Sequence, residues 1–315
     1  MFAYTIRRVL AIIPLVVAVA TITFLLMNAV EGGPFDSDRP LSEATRKNLE
    51  KKYGLDDPFA VRYVKYIWNL AHGDLGVSLT NDREVRTIIT ERMQVSIQLG
   101  LATFLFATTV GLTLGSLAAL NQNGAGDYAG VFVATAGAAL PSFVLAPILQ
   151  IIFSVKLGWF TVLASDYGFT QWFRGDFSNW QQIILPTLSL GFLSMAFVAR
   201  ITRAAMLEVL RQDYIRTAWA KGMRQRQVLL RHAAKNALIP VLTILGPIFA
   251  GLVVGSFIVE TAFGIPGVGQ LFVRSVLIRD YEVIMGVTVF FTVVIAVMNL
   301  VVDLLYAVVD PRIRL

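Results

Sequence analysis

Asp213-Tyr-Ile-Arg-Thr-Ala-Trp-Ala-Lys-Gly222, running on to Asn236-Ala-Leu-Ile-Pro240, is a basic, helix-forming stretch set between two charge-free runs, 177–199 and 236–259. Each run reaches the ~20 residues that cross ~30 Å of hydrocarbon as a helix. Further runs of the same kind occupy 9–30, 93–120, 128–155 and 283–302. The chain is 56% hydrophobic and only 15% charged, whereas a soluble domain is about a quarter charged. A soluble core of buried helices would need many more charged surface positions. The sequence therefore predicts an all-α integral membrane protein with six transmembrane helices.

Much chemistry is excluded. There is no cysteine, hence no disulfide, thiolate nucleophile or Cys-bound metal. His72 and His232 are the only histidines, too few for a His-rich metal cage, so no metal site is expected. The chain contains no G-x-x-x-x-G-K-[ST] phosphate loop, no H-E-x-x-H and no nucleophile–His–Asp set. No catalytic residue and no cofactor of its own are expected. Ion-coupled carriers keep an ionisable group at membrane depth; the interiors of the six runs have none, and Asp303 sits at the end of the last. Energy for uphill transport would have to come from a partner. The net charge of +6 is explained by basic loops, without nucleic acid.

Loop charges give an orientation. Arg7 and Arg8 precede the first run, which is longer than a signal-peptide core and lacks an A-x-A exit. A cytoplasmic N-terminus follows. Alternation then puts 31–92 outside and the basic 207–235 loop inside, with the C-terminus and its Arg312 and Arg314. The 31–92 segment mixes acids and bases, and long loops cross largely regardless of charge. The expected divisions are 1–30, the N-terminus and first span; 31–92, an extracytoplasmic helical segment; 93–307, a core of spans two to six with a coupling loop at 207–236; and 308–315, a cytoplasmic tail. Within 31–92, Ser42 to Tyr53 predicts one helix stopped by Gly54. Pro58 opens an amphipathic stretch to Leu70 with Val61, Val64, Ile67 and Trp68 on one face.

In the 207–235 loop, Asp213 predicts a cap for a short helix with Ile215, Ala218 and Trp219 on one side. Lys221 falls in its last turn and Gly222 at the left-handed position past its end. A second helix is expected from about Gln225, bearing Val228, Leu229 and Ala233. Two readings fit: a stiff lever joined to a membrane helix, or an amphipathic helix lying on lipid headgroups. Elsewhere, Pro141 and Pro147 predict a kink in the third span, from packing or from a path-lining role that would include Ser142. Arg200 and Arg203, near the inner end of the fourth span, either line a path or snorkel to headgroups. Gly264-Ile-Pro-Gly-Val-Gly269 lacks the ending of a phosphate loop and lies outside. Its Gly264, Pro266, Gly267 and Gly269 predict a structured turn or gate.

Tyr214-Ile-Arg-Thr-Ala-Trp-Ala-Lys-Gly222, Val228-Leu-Leu-Arg-His232 and Asn236-Ala-Leu-Ile-Pro240 together resemble the EAA loop of ABC-importer permease subunits. They look most like its oligopeptide/dipeptide branch. Arg216-Thr217-Ala218 stands at the family's EAA triplet, as in that branch, while Trp219 takes a place where the branch often has Arg. The resemblance continues through Ile6-Arg-Arg8, Gly33-Pro-Phe35, Lys52-Tyr-Gly-Leu55, His72-Gly-Asp-Leu-Gly76 and Ala139-Leu-Pro-Ser-Phe143. Beyond these come Ala199-Arg-Ile-Thr-Arg203, Glu260-Thr-Ala-Phe-Gly-Ile-Pro-Gly-Val-Gly-Gln-Leu-Phe272, Arg279-Asp-Tyr281 and Asp310-Pro-Arg312. Gly33-Pro-Phe35 and the long outer segment look more like the oligopeptide subtype than the dipeptide or nickel ones.

The resemblance implies a type I importer permease in the cytoplasmic (inner) membrane. It would pair with a second, homologous permease. Two ATPase subunits would bind ATP and Mg, and an extracytoplasmic binding protein would deliver peptide. Arg216, Thr217, Ala218, Trp219, Lys221, Gly222, Arg224, Arg231 and His232 would form the coupling loop. A channel or carrier working without ATPases is the competing class.

Overall fold

Helices form where the apolar runs place them, and several, such as Val85–Leu120 and Gln181–Leu210, extend beyond their runs into polar flanking residues. The computed structural model describes residues 2–30, 47–48, 51–52, 54–164, 180–224, 227–253 and 256–309. In chain order the helices are α1 (Phe2–Ala29), α2 (Phe59–Ala71), α3 (Val85–Leu120), α4 (Ala125–Ala139), α5 (Ser142–Leu149) and α6 (Gln181–Leu210). Then follow α7 (Asp213–Ala220), α8 (Ala234–Val253), α9 (Phe257–Phe263), α10 (Val268–Leu277) and α11 (Tyr281–Val309). Helices α1, α3, α6, α8 and α11 are each long and apolar enough to span a membrane, and α4 with α5 and its continuation to Lys156, bent by 101°, is a sixth when counted as one broken span.

Three expectations need revision. The third span is broken rather than kinked. Leu140 is extended, at φ −101° and ψ 117°, and Pro141 opens α5. A residue before proline is pushed out of the helical region, so the chain turns there. Residues Gln150–Lys156 then continue α5 as a wider π-helical coil. The fifth span stops at Val253, not at 259, and Ser256 starts the separate helix α9 by accepting a hydrogen bond from the Val259 amide on its hydroxyl. In α2 the packed face is not the one predicted. Val61, Val64 and Trp68 are exposed, whereas the rings of Phe59, Tyr63 and Tyr66 surround Phe24 of α1 at 5.4–5.5 Å. Of the expected Ser42–Tyr53 helix, only 47–48 and 51–52 lie among the described residues.

The centre of the bundle is the pairing of α3 with α6. A Cβ on Gly115 would lie 2.5 Å from the Ala199 carbonyl oxygen and 2.7 Å from Thr202 Cβ. One on Gly111 would meet Val198 at 2.8 Å, and one on Gly191 would meet Phe106 at 2.7 Å. Hydrogen in place of a side chain lets the two backbones touch, the usual device for tight helix pairing in lipid. At one end of this seam Val95, Leu99, Ile183 and Leu185 pack with Ala146, Leu149, Val259, Phe263 and Ile265. At the other, Ala119, Ala205 and Met206 pack with Ile215, Ala218, Val228, Ala233 and Ala237. Around this pair, Arg8 ties α1 to Asp303 of α11 at 3.0 Å.

Because the obstacle at Gly115 includes backbone, it cannot yield cheaply. Overpacking of this kind costs about 1–3 kcal/mol. Gly115→Leu should therefore lower the thermal midpoint of the detergent-solubilised protein by several degrees. Gly251→Ala, whose added Cβ meets nothing within 4 Å, should leave it nearly unchanged. Equal midpoints for the two variants would reject the glycine seam.

Candidate functional site

Helix α7 is short, and an isolated helix of eight residues is not stable in water. Its order comes from three sources. Ile215 and Ala218 are buried against Ala205 and Met206 of α6 and against Val228 and Ala237 beyond the loop. The Asn236 amide donates to the Tyr214 hydroxyl at 2.7 Å, fastening α7 to the start of α8. At its end Gly222 has φ +71°, its amide donates to Trp219 O at 2.9 Å, and Met223 N donates to Ala218 O at 3.4 Å. That is the paired 5→2 and 6→1 closure with glycine in the left-handed position. Met223 folds back onto the same apolar cluster.

The N-terminus differs from expectation. Gln212 is the capping residue, and Asp213 is the first helical residue, its side chain almost fully exposed and 3.6 Å from Arg216. Asp213 thus acts on the helix through its charge at the positive end rather than as a hydrogen-bonding cap. Trp219 does not share the face of Ile215 and Ala218. It is exposed, as are Tyr214, Arg216, Thr217, Lys221 and Arg224. The second helix is not separate either: Val228–Ala233 is a π-helical coil that runs directly into α8. It carries Arg231 exposed and His232 half-buried. Residue 225, where that helix was expected to begin, lies outside the described residues. The outcome is an amphipathic helix with its apolar face fused to α6 and α8 and its basic, aromatic face uncovered.

At the opposite end, the glycine-rich turn is organised by the acidic residue that opens the Glu260–Phe272 motif, a role its place in that motif does not reveal. Glu260, on α9, is fully buried. Its carboxylate accepts from Ser96 Oγ at 2.9 Å and from the Gln270 amide at 3.0 Å. Ser96 in turn accepts from the Val268 amide at 2.9 Å. The acceptors therefore satisfy the free amides at the start of α10, where a negative charge is favoured. A Cβ on Gly267 would approach Glu260 Oε2 to 2.3 Å, and one on Gly269 to 2.9 Å. Both glycines are needed for the carboxylate to reach the backbone. Gly264 has φ +66° and closes α9, and Pro266 is buried beside it. Burial outweighs these hydrogen bonds and pushes the Glu260 carboxyl up to about 6.

The candidate path residues are not gathered at one place. Pro141 is exposed and Ser142 half-buried at the α4–α5 break. Arg200 is exposed, with its guanidinium 5.9 Å from the centre of the Phe197 ring. Arg203 makes a two-pronged ion pair with buried Asp127, 2.6 Å from Nε and 2.7 Å from Nη2. Asp127 also accepts from the Asn123 amide at 3.0 Å, so this pair anchors the α3–α4 turn to α6. A third carboxylate, the buried Asp280, accepts from Ser78 Oγ at 2.5 Å and from the Leu79 amide at 3.1 Å. It joins the segment just after the His72–Gly76 motif to the Arg279–Tyr281 motif across the fold.

The family described as "binding-protein-dependent transport system inner membrane component" matches residues 111–315. The chain belongs to this family. It is similar along its whole length to curated members. It is 39% identical to the oligopeptide transport system permease protein OppB of Haemophilus influenzae, over 100% of both chains. The figure is 40% for OppB of Escherichia coli K12, again over 100% of both. It is also 40% for the dipeptide transport system permease protein DppB of Bacillus subtilis, over 100% of this chain and 99% of that one. The crystal structure of an amino acid ABC transporter with histidines shares the fold, with a TM-score of 0.50 at 17% identity, covering 70% of this chain and 94% of that one. This permease is thus a multi-pass inner-membrane component of a transport system, and the resemblance drawn from the EAA-like loop holds.

The raised Glu260 carboxyl gives a pH signature. An ordinary carboxyl titrates near 4.5 and the folded one near 6, so between these values the folded state binds the extra proton. This contribution to stability is full below about 4.5 and is lost as pH rises through 6. Glu260→Gln removes the titration. The thermal midpoint of the native permease relative to that variant should therefore be higher at pH 5 than at pH 7.5. A difference independent of pH would show that Glu260 does not titrate in this way.

Proposed function

We propose that this chain is a membrane-spanning permease subunit of an ATP-driven importer of peptides, taking its energy through α7. The observation that carries the energy input is the geometry of α7: a face fixed to α6 and α8 by Ile215 and Ala218, and a free face of Arg216, Thr217, Trp219 and Lys221. A rigid mount with an open basic and aromatic face suits docking into a cleft of an ATPase subunit. Closure of the ATPases would push α7 and, through it, two membrane helices. The cargo is inferred from relatives named for oligopeptides and for dipeptides, which match at like identity. Peptide is accordingly the substrate class proposed, with the oligopeptide subtype expected from the outer segment as its narrower form.

The same proposal includes a second, homologous permease, two ATPase subunits that bind ATP and Mg, and an extracytoplasmic binding protein. This chain would be non-catalytic, with both termini and α7 in the cytoplasm.

Affinity purification from the native host should bring down an ATP-binding subunit and a second permease. A preparation that transports in vesicles without either would establish the channel or carrier class instead. Gly222→Val places a β-branched residue at φ +71°, a conformation costing roughly 1–2 kcal/mol for a side chain. It should abolish peptide-stimulated ATP hydrolysis while membrane insertion persists, and Gly222→Asn should retain most of it. Full stimulation in Gly222→Val would reject α7 as the energy input.

Orientation is tested by thiol labelling, since the native chain has no cysteine. Ser78 is buried and unsuited to a reporter, whereas Asn81 and Gln212 are exposed. An impermeant thiol reagent should label Asn81→Cys in intact cells and spare Gln212→Cys, and the reverse pattern would invert the topology.

A further inference from the structure

A groove between α1, α3 and α11, at the end of the bundle away from α7, has no role in the docking helix or the outer turn. Its volume is about 620 Å³, within the ~300–1,000 Å³ of small-molecule sites. The walls are apolar, formed by Val16 of α1, Met93 of α3 and Phe290 and Val293 of α11. Arg86 and His72 also line it, and Arg86 supplies the positive charge. Arg86 is exposed on the first turn of α3 and forms no ion pair among the described residues. His72 rests its ring on Trp68 at 4.7 Å between centres and uses Nδ1 toward Trp68 O at 2.8 Å. From Arg86 to Met93 is about 10 Å along the helix, the distance from headgroup level into the acyl region.

We propose that this groove binds one anionic phospholipid, with its phosphate diester on Arg86 and an acyl chain along Met93, Phe290, Val293 and Val16. Three features select this occupant. Val16, which lines the groove, is flanked on α1 by the exposed Ile13 and Val17, on a helix long and apolar enough to span a membrane, so hydrocarbon is the medium expected to reach it. A guanidinium at the interface complements a phosphate in two-pronged geometry. A neutral zwitterionic headgroup would bring its own cation against Arg86, and a free phosphate would gain nothing from the apolar wall. The groove itself does not depend on the cargo or the energy source of the permease.

The test uses the full-length protein purified in detergent, with bound lipid counted by native mass spectrometry during titration with phosphatidylglycerol, phosphatidylcholine or inorganic phosphate. One phosphatidylglycerol should be retained, roughly tenfold or more tighter than phosphatidylcholine, as loss of a charged hydrogen bond implies. Arg86→Gln should bring phosphatidylglycerol down to the phosphatidylcholine level. Val293→Trp, which fills the groove, should displace both lipids with helix content unchanged. Equal retention of the two lipids, phosphatidylglycerol binding unchanged in Arg86→Gln, or retention persisting in a folded Val293→Trp would each overturn the proposal. Competition by millimolar inorganic phosphate would also overturn it, showing a plain anion site. Should Val293→Trp fail to fold, Arg86→Gln and the phosphate competition decide.

Discussion

The close approach of α3 and α6 is the constraint on which the rest of the permease depends. Gly111, Gly115 and Gly191 let main chain meet main chain and side chain, in a solvent that supplies no hydrophobic force between helices. The seam leads directly to Ala119, Ala205 and Met206, and these bury Ile215 and Ala218 of α7. A displacement of α7 therefore reaches α6 and α8 through packed atoms. Close-packed interiors transmit strain for that reason. The π-helical coil at Val228–Ala233 adds a second connection, since it runs without interruption into α8.

At the two ends of the bundle, buried or nearly buried carboxylates do the joining. Glu260 binds the start of α10 to Ser96 of α3. Asp280 binds the 72–79 segment to the start of α11. Asp127 binds the α3–α4 turn to Arg203 of α6. In each case a turn with free backbone amides meets an acceptor from a distant part of the chain, which avoids the penalty of leaving buried donors unpaired. The family motifs that hold Glu260 and Asp280 are thus places where turns are fastened to distant parts of the chain, whereas the exposed face of α7 is uncovered.

Much of the architecture was legible from residue pattern. Charge-free runs of about twenty residues located the spans, and Gly222 announced the end of α7. The errors have common causes. Trp219 was placed with Ile215 and Ala218 by spacing of three and four, which cannot tell which apolar residue on a short helix meets the core. On α2 the same ambiguity applies, because Val61, Val64 and Trp68 look like a core stripe while Tyr63 and Tyr66 do the packing. Pro141 announced a disturbance but not its size. Glu260, Ser96 and Asp127 were invisible as a group, since their partners are separated by 164 residues for Glu260–Ser96 and 76 for Asp127–Arg203.

By itself the sequence determined the solvent of this protein, the number of its spans and the presence of one structured basic loop, because hydropathy and helix signals are local properties of the chain. Only the tertiary structure decided which side of that loop is free, where the third span breaks and which acids hold the turns. Those outcomes depend on what a residue meets across the fold, and backbone approach at Gly115 or a carboxylate beneath Gly267 leaves no periodic trace in the chain that makes it.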